Sequence, residues 1–194
     1  MNMLRTIVNA LVPGARANKA APAILTAEVA DAVDRRDTAF LQNWLQSLLR
    51  ADSKSPAFQS LMEAVRQNDW PKHDIEKLEI FGLFYQGNLT AAFERASKYT
   101  KTPNFDPDLF IIAAFSLFHA GQFEDAYRVL ESGKPYEALL DSRSDFAIVA
   151  TLISQAANVP DALKRYIDLA WRLAPTDPVI ALNACAIYFE SGDM

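Results

Sequence analysis

Cysteine and histidine are nearly missing from this sequence. Cys185 is the only cysteine among 194 residues, and the histidines are His73 and His119. A single thiol excludes an intramolecular disulfide and is typical of reducing compartments, so we expect a cytoplasmic protein. Neither histidine has partners at the spacing that metal binding or general acid–base chemistry needs. Glycine-rich phosphate loops and the GxSxG and HExxH motifs are also absent from the sequence. We therefore expect no metal, no cofactor and no enzymatic activity.

Excess positive charge and long hydrophobic runs are missing as well. The net charge is −5 and the pI is about 5.0, whereas binding to nucleic acid requires clustered lysine and arginine. We therefore expect no nucleic-acid partner. The longest apolar stretch, Phe110–Phe118, has nine residues and includes a serine. A membrane-spanning helix needs about 20 residues, so we expect no membrane span.

The residues that are abundant favour helices. The sequence has 31 alanines and only six glycines, a balance that favours α-helix. Apolar residues recur at helical spacing and never alternate with a period of two, so we predict an all-α fold without a sheet. Asp37, and Ser55 followed by Pro56, are typical of helix N-termini. The predicted helices cover residues 27–36, 38–51, 56–70, 74–86, 89–100, 107–120, 123–132, 144–157, 160–174 and 178–191, with a shorter stretch over Tyr136–Leu140.

An internal repeat with a period of 34–36 residues organises the second part of the chain. A shift of 34 residues places Gly87 on Gly121 and Ala92 on Ala126, and a further shift of 36 places Ala126 on Ala162. A glycine or alanine lets the first helix of a pair end abruptly, a bulky residue two places later fills the gap, and a small residue three places further allows close packing. This spacing predicts helix pairs, in repeat frames that begin at residues 73, 107, 143 and 178.

This pattern resembles the tetratricopeptide repeat, a 34-residue helix–turn–helix unit. In the first frame, Glu76 and Glu79 occupy positions that the family buries, and a slip of two residues, which makes Phe81-Gly82 the family's usual Leu-Gly pair, removes this conflict. The matching residues in the other frames are Phe110, Ala113, Ala114, Leu117, Gly121, Phe123, Ala126 and Leu130, then Phe146, Val149, Ala150, Ile153, Ala157, Val159, Ala162 and Tyr166, then Ala181, Ala184, Cys185, Tyr188 and Gly192. The resemblance implies an all-α, right-handed superhelical stack of helix pairs.

The sequence predicts three regions. Residues 1–25 form an N-terminal segment and linker, with a short amphipathic helix over Met3–Val12. Residues 26–72 form a helical region, either with degenerate copies of the repeat or without repeats. Residues 73–194 form the repeats, of which the last is incomplete, so we expect the chain to be a fragment of a longer protein or to form a homodimer through the open C-terminal repeat.

The resemblance also implies a binding groove, because the first helix of each tetratricopeptide pair lines the concave side of the stack. In the fourth frame, the residues at these groove-lining positions are Val179, Leu182, Ala186, Phe189 and Glu190. Across all frames, the residues that we expect to line a partner-binding groove are Phe81, Phe84, Tyr85, Ile111, Phe115, Phe118, His119, Gln155 and Phe189. An exposed apolar wall of this size is typical of a binding site. The alternative is that the chain itself covers this wall, either with the helices of residues 26–70 or with the N-terminal segment.

The expected function is a non-enzymatic scaffold that binds a peptide or helix of another protein in this groove. Two alternatives are an N-terminal regulatory or substrate-recruiting region of a larger bacterial enzyme, such as a glycosyltransferase, and a secretion-system chaperone. Cys185 occupies a small-residue position in its frame, so we expect a buried packing thiol rather than a reactive one.

Overall fold

The computed structural model describes residues 25–191, and no β-strand occurs among them. The predicted helix over Met3–Val12 lies outside the described residues. The predicted all-α fold is confirmed for the part that is described. Its eleven α-helices are α1 Ala27–Asp34, α2 Thr38–Ala51, α3 Pro56–Gln67, α4 Lys72–Tyr85, α5 Leu89–Ala96, α6 Pro107–His119, α7 Phe123–Ser132, α8 Glu137–Leu140, α9 Ser144–Ala156, α10 Pro160–Leu173 and α11 Pro178–Ser191, with short 3-10 turns at Ser97–Tyr99 and Lys134–Tyr136.

Side-chain caps fix the starts of several helices where the sequence signals them. Asp37 accepts a hydrogen bond from the Phe40 amide at 3.0 Å, and Asp106 accepts from the Leu109 amide at 3.1 Å. Each carboxylate satisfies an amide that has no partner within its own helix. Pro107 follows Asp106 at the first helical position, where its missing N–H costs no hydrogen bond. The capping signals in the sequence therefore locate these helix starts correctly.

The same turn joins four pairs of consecutive helices. In each, a residue with positive φ follows the helix, and the two residues after the C-cap donate back to carbonyls of the last turn, which is the Schellman arrangement. At the α6–α7 turn, the Gly121 amide donates to Phe118 at 3.0 Å and the Gln122 amide donates to Leu117 at 2.9 Å. The positive-φ residues of the four turns are Arg36 (56°), Gly87 (80°), Gly121 (77°) and Asn158 (57°).

The third repeat turn lies one residue later than predicted. Ala157 was expected to match Gly121, but Asn158 holds the left-handed conformation and Ala157 has a φ of −80°. Asparagine tolerates this conformation better than alanine because its short polar side chain can hydrogen-bond locally. The spacing between these turns is therefore 37 residues. As a consequence Ala162 is half-buried, whereas Ala92 and Ala126 are fully buried as predicted.

The chain divides into two compact units, Met1–Ala92 and Phe93–Met194, and the division falls within α5. In the N-terminal unit, α4 packs against α2 and α3, and α1 also contacts both. Trp70 is buried between these elements, and its indole N–H donates to the Val33 carbonyl at 3.1 Å. The predicted boundary at residues 72 and 73 falls on the first residues of α4, which packs against α2 and α3 of the preceding region.

Gly82 allows α3 and α4 to approach closely. A Cβ atom at this position would lie 2.2 Å from Cζ of Phe58, which no real contact permits. Leu78 and Tyr85 on the same helix are buried, whereas the side chain of Glu79 is partly exposed and pairs with Arg66 at 2.5 Å. This burial follows the first repeat frame shifted by two residues, with Gly82 as the small residue.

In the C-terminal unit two helix pairs, α6–α7 and α9–α10, pack side by side, with α9 in contact with both α6 and α7. Helix α11 packs against α10. The N-terminal ends of α6 and α9 are joined by Arg143, which contacts Asp108 at 2.6 Å and Asp145 at 2.5 Å. Hydrogen bonding to Asp145 and the charge of Asp108 raise the pKa of Arg143 against its partial burial.

Candidate partner-binding surface

The predicted groove residues of the N-terminal unit are buried. Phe81, Phe84 and Tyr85 on α4 expose 9%, 3% and 8% of their surface. Tyr85 packs edge-on against Phe84, with ring centroids 5.2 Å apart, and burial raises the pKa of its hydroxyl. These rings form part of a packed core, as the shifted repeat frame requires.

The predicted groove residues on α6 are also buried. Ile111, Phe115 and Phe118 expose 7%, 6% and 6% of their surface. The rings of Phe115 and Phe118 are stacked at 5.6 Å, and the ring of His119 lies 4.3 Å from that of Phe115. Burial lowers the pKa of His119, so this imidazole is neutral at physiological pH. These side chains therefore offer little exposed surface to a partner, and the groove on α6 stays a prediction.

The other two predicted groove residues lie on α9 and α11. Gln155 near the end of α9 is half-buried. Phe189 lies in the last turn of α11, and its side chain is outside the described part of the chain.

Helix α11, which is the first helix of the fourth frame, exposes apolar residues to solvent. Val179 and Leu182 are 46% and 53% exposed, and Cys185 is also exposed, which corrects the expectation of a buried thiol. These three residues stand at positions i, i+3 and i+6, so they share one side of the helix. We call them the α11 row. The fourth frame had already placed Val179 and Leu182 among its groove positions, although Phe189 was the one expected to bind.

The other side of α11 fixes how the helix lies on the C-terminal unit. Ile180, Ala184 and Ile187 are buried, and the last two pack with Ile167 of α10. The Tyr188 hydroxyl also donates to the Asp168 carboxylate of α10. Since these contacts hold one face of α11 against α10, the α11 row is presented on a firmly placed helix.

Exposed aromatic and aliphatic side chains occur elsewhere in the C-terminal unit, but singly. Trp171 on α10 is 42% exposed, Leu139 on α8 is 49% exposed, and Phe123 at the start of α7 is 38% exposed. Phe123 was expected to fill the gap between α6 and α7. Its ring does contact that of Phe118, at 5.6 Å, while one side remains open to solvent. Isolated exposures of this kind are common on protein surfaces and do not define a site.

A metal site and a membrane-spanning helix were both sought among the described residues. Between residues 25 and 191, no group of three histidine, cysteine, aspartate or glutamate side chains could hold a metal ion. Within the same range, no helix combines the length and apolar character needed to cross a membrane.

Comparisons of the chain with models of protein families, with curated proteins and with solved structures find no match. The resemblance to tetratricopeptide repeats therefore rests on the sequence pattern.

Proposed function

We propose that this protein is a helical-repeat interaction module, similar to tetratricopeptide proteins, that binds an amphipathic helix of another protein through the α11 row. In this proposal its helix pairs stack in a right-handed superhelix, and no catalytic step takes place on the chain.

The packing of the C-terminal unit supports the repeat character. In a stack of helix pairs each repeat buries its apolar faces only against its neighbours. Helix α9 contacts both helices of the preceding pair, α6 and α7, and α11 contacts the preceding α10. The Schellman turns at Gly121 and Asn158 join the two complete pairs in the same way.

The observation that carries the proposed function is the uncharged character of α11. From Pro178 to Phe189 the helix contains no charged residue, a composition typical of helices buried on all sides. Only one of its faces is buried, and the opposite face leaves Val179 and Leu182 about half exposed. An apolar row at helical spacing is the surface that a partner helix recognises when it lays its own apolar face against it.

The experiment introduces a charge into this row. Leu182→Lys should leave the melting temperature within about 2 °C, because the side chain is half exposed and lysine can keep its ammonium in water. Thr176→Lys, in the exposed turn before α11, is the matched control for the added charge. Proteins captured from a lysate of the source organism by wild type, Leu182→Lys and Thr176→Lys are then compared by quantitative mass spectrometry.

A partner that Thr176→Lys retains and Leu182→Lys loses supports the proposal. Identical capture by all three proteins contradicts it. If the partner is a second copy of this chain, sedimentation will show a dimer for wild type and Thr176→Lys and a monomer for Leu182→Lys.

A further inference from the structure

A groove on another part of the C-terminal unit has the features of a second binding site. It is an open groove between the segment 93–101 and helix α7, with a volume of about 510 Å³, comparable to the roughly 300–1,000 Å³ of known ligand sites. Its lining residues are Phe93, Ser97, Thr100, Lys101, Leu117, Gln122, Asp125, Arg128, Val129 and Ser132.

The floor of this groove is apolar. Phe93 and Val129 are half-buried, and Leu117 is 6% exposed. These side chains come from α5, α7 and α6 respectively, so three helices hold the floor in place. An apolar side chain of a ligand that contacts Phe93 and Val129 would remove their remaining surface from water, at about 25 cal/mol per Å².

The hydroxyl groups in the groove already donate their hydrogens. Ser97 donates to the Glu94 carbonyl at 3.0 Å, Thr100 to the Ser97 carbonyl at 2.9 Å, and Ser132 to the Val129 carbonyl at 2.6 Å. The donors left for a ligand are therefore the charged and amide groups of the rim.

The rim of the groove carries an exposed cation that no carboxylate of the described residues pairs with. Lys101 and Gln122 are exposed, and among the described residues Lys101 has no ion-pair partner. Arg128 is paired with Asp125 at 2.7 Å and with Glu124 at 3.9 Å. Lys101 is therefore the cation of the lining that is left for an anionic group of a ligand.

We propose that this groove binds an acidic peptide segment of another protein, with one apolar side chain on the floor and a carboxylate beside Lys101. The charge of the rim selects a carboxylate, because Lys101 offers an unpaired ammonium close to the apolar floor. A chain segment fits better than a small molecule, since the polar groups lie on an exposed rim and small-molecule sites bury most of their ligand. This site goes beyond the proposed function, whose surface on α11 is uncharged.

The test uses the 194-residue chain and two pools of fluorescein-labelled ten-residue peptides. In the acidic pool glutamates flank one leucine or phenylalanine, and in the basic pool lysines replace the glutamates. We expect the acidic pool to bind and the basic pool not to bind, by fluorescence anisotropy. Amide resonances of residues 97–101 and 122–132 should shift on addition of the acidic pool.

The decisive variant is Lys101→Glu, with Lys98→Glu as its matched control. Lys98 is exposed, lies three residues away and does not line the groove, so both variants change the net charge equally. Lys101→Glu should weaken binding about fivefold or more, corresponding to about 1 kcal/mol for an exposed ion pair, and Lys98→Glu should not. Equal affinities for the two variants, or no binding of the acidic pool, would overturn the proposal.

The same assay separates this site from the α11 row. Leu182→Lys should leave the affinity for the acidic pool unchanged. If Leu182→Lys abolishes binding and Lys101→Glu does not, the groove proposal fails while the α11 proposal stands. If Lys101→Glu alone weakens peptide binding and Leu182→Lys captures the same proteins as wild type, the groove proposal stands and the α11 proposal fails.

Discussion

Replacement of Ala126 by leucine tests both the packing of the α6–α7 pair and the repeat register. Ala126 lies in the first turn of α7 and is 0% exposed, in a helix that packs closely on α6. Leucine adds three carbon atoms at a position that has no solvent-exposed surface. Overpacking of this kind forces side chains out of their preferred rotamers and typically costs about 1–3 kcal/mol.

Ala162→Leu is the matched control, because the sequence pattern aligned Ala162 with Ala126. The structure instead leaves Ala162 half-buried, since the turn at Asn158 shifts the register by one residue. The added atoms of leucine can extend toward solvent there, and surface substitutions usually change stability by less than about 0.5 kcal/mol.

Thermal denaturation followed by circular dichroism separates the two cases. For a chain of this size each kcal/mol shifts the melting temperature by about 2–4 °C. Ala126→Leu should therefore lower it by about 2–12 °C, and Ala162→Leu by less than about 2 °C. Equal losses in the two variants would show that the 36-residue register is correct and that the turn assigned to Asn158 is misplaced.

Three other predictions concern the core and its protonation. Phe115→Ala should lower the free energy of unfolding, measured by chemical denaturation, by about 3–5 kcal/mol, because the ring is 6% exposed and stacked on Phe118. An unchanged free energy of unfolding together with lost partner capture would instead support the predicted groove. Gly82→Ala should lower the melting temperature, because its Cβ would meet Phe58 at 2.2 Å, and the smaller variant Phe58→Leu should relieve part of that loss. Because burial lowers the pKa of His119, the folded state binds fewer protons than the unfolded state between that pKa and the usual value of about 6.5. Stability should therefore fall as the pH drops below about 6.5, and His119→Gln should show a smaller fall between pH 7.5 and pH 5.5.

The helices could be predicted closely because their boundaries depend on local chemistry. Ser55 before Pro56 and Asp106 before Pro107 act within three residues of themselves, through a side-chain oxygen and a fixed φ. Both predicted helix starts agree with the structure. The turn between α9 and α10 was predicted, but Ala157 was matched to the turn glycine instead of Asn158, because asparagine adopts the left-handed conformation less often than glycine. The signal was present in the pair Asn158-Val159 before Pro160, where a helix must begin again.

The candidate site was predicted less well, for a physical reason. Helix α6 is apolar at nearly every position from Leu109 to Phe118, and all of these residues are buried. Helix α11 is free of charge from Pro178 to Phe189, and yet Val179 and Leu182 on one of its sides are exposed. When all sides of a helix are apolar, periodicity no longer identifies the side that faces the core. Only the tertiary contacts distinguish α6 from α11, so the sequence alone left open whether the apolar wall on α6 is exposed or covered.

The two proposed surfaces should respond differently to salt, and this difference follows from their chemistry. The α11 row contains Val179, Leu182 and Cys185 and no charge, so its affinity for an apolar partner should be insensitive to NaCl and should increase in sulfate. The groove relies on Lys101 at an exposed rim, where added salt screens its attraction to a carboxylate. The Debye screening length falls to about 3 Å at 1 M salt. Raising NaCl from 0.05 to 0.5 M should therefore weaken binding of the acidic peptides and leave capture through α11 intact. If both interactions weaken together, the partner of α11 is held by charges, and the argument from its uncharged helix does not hold.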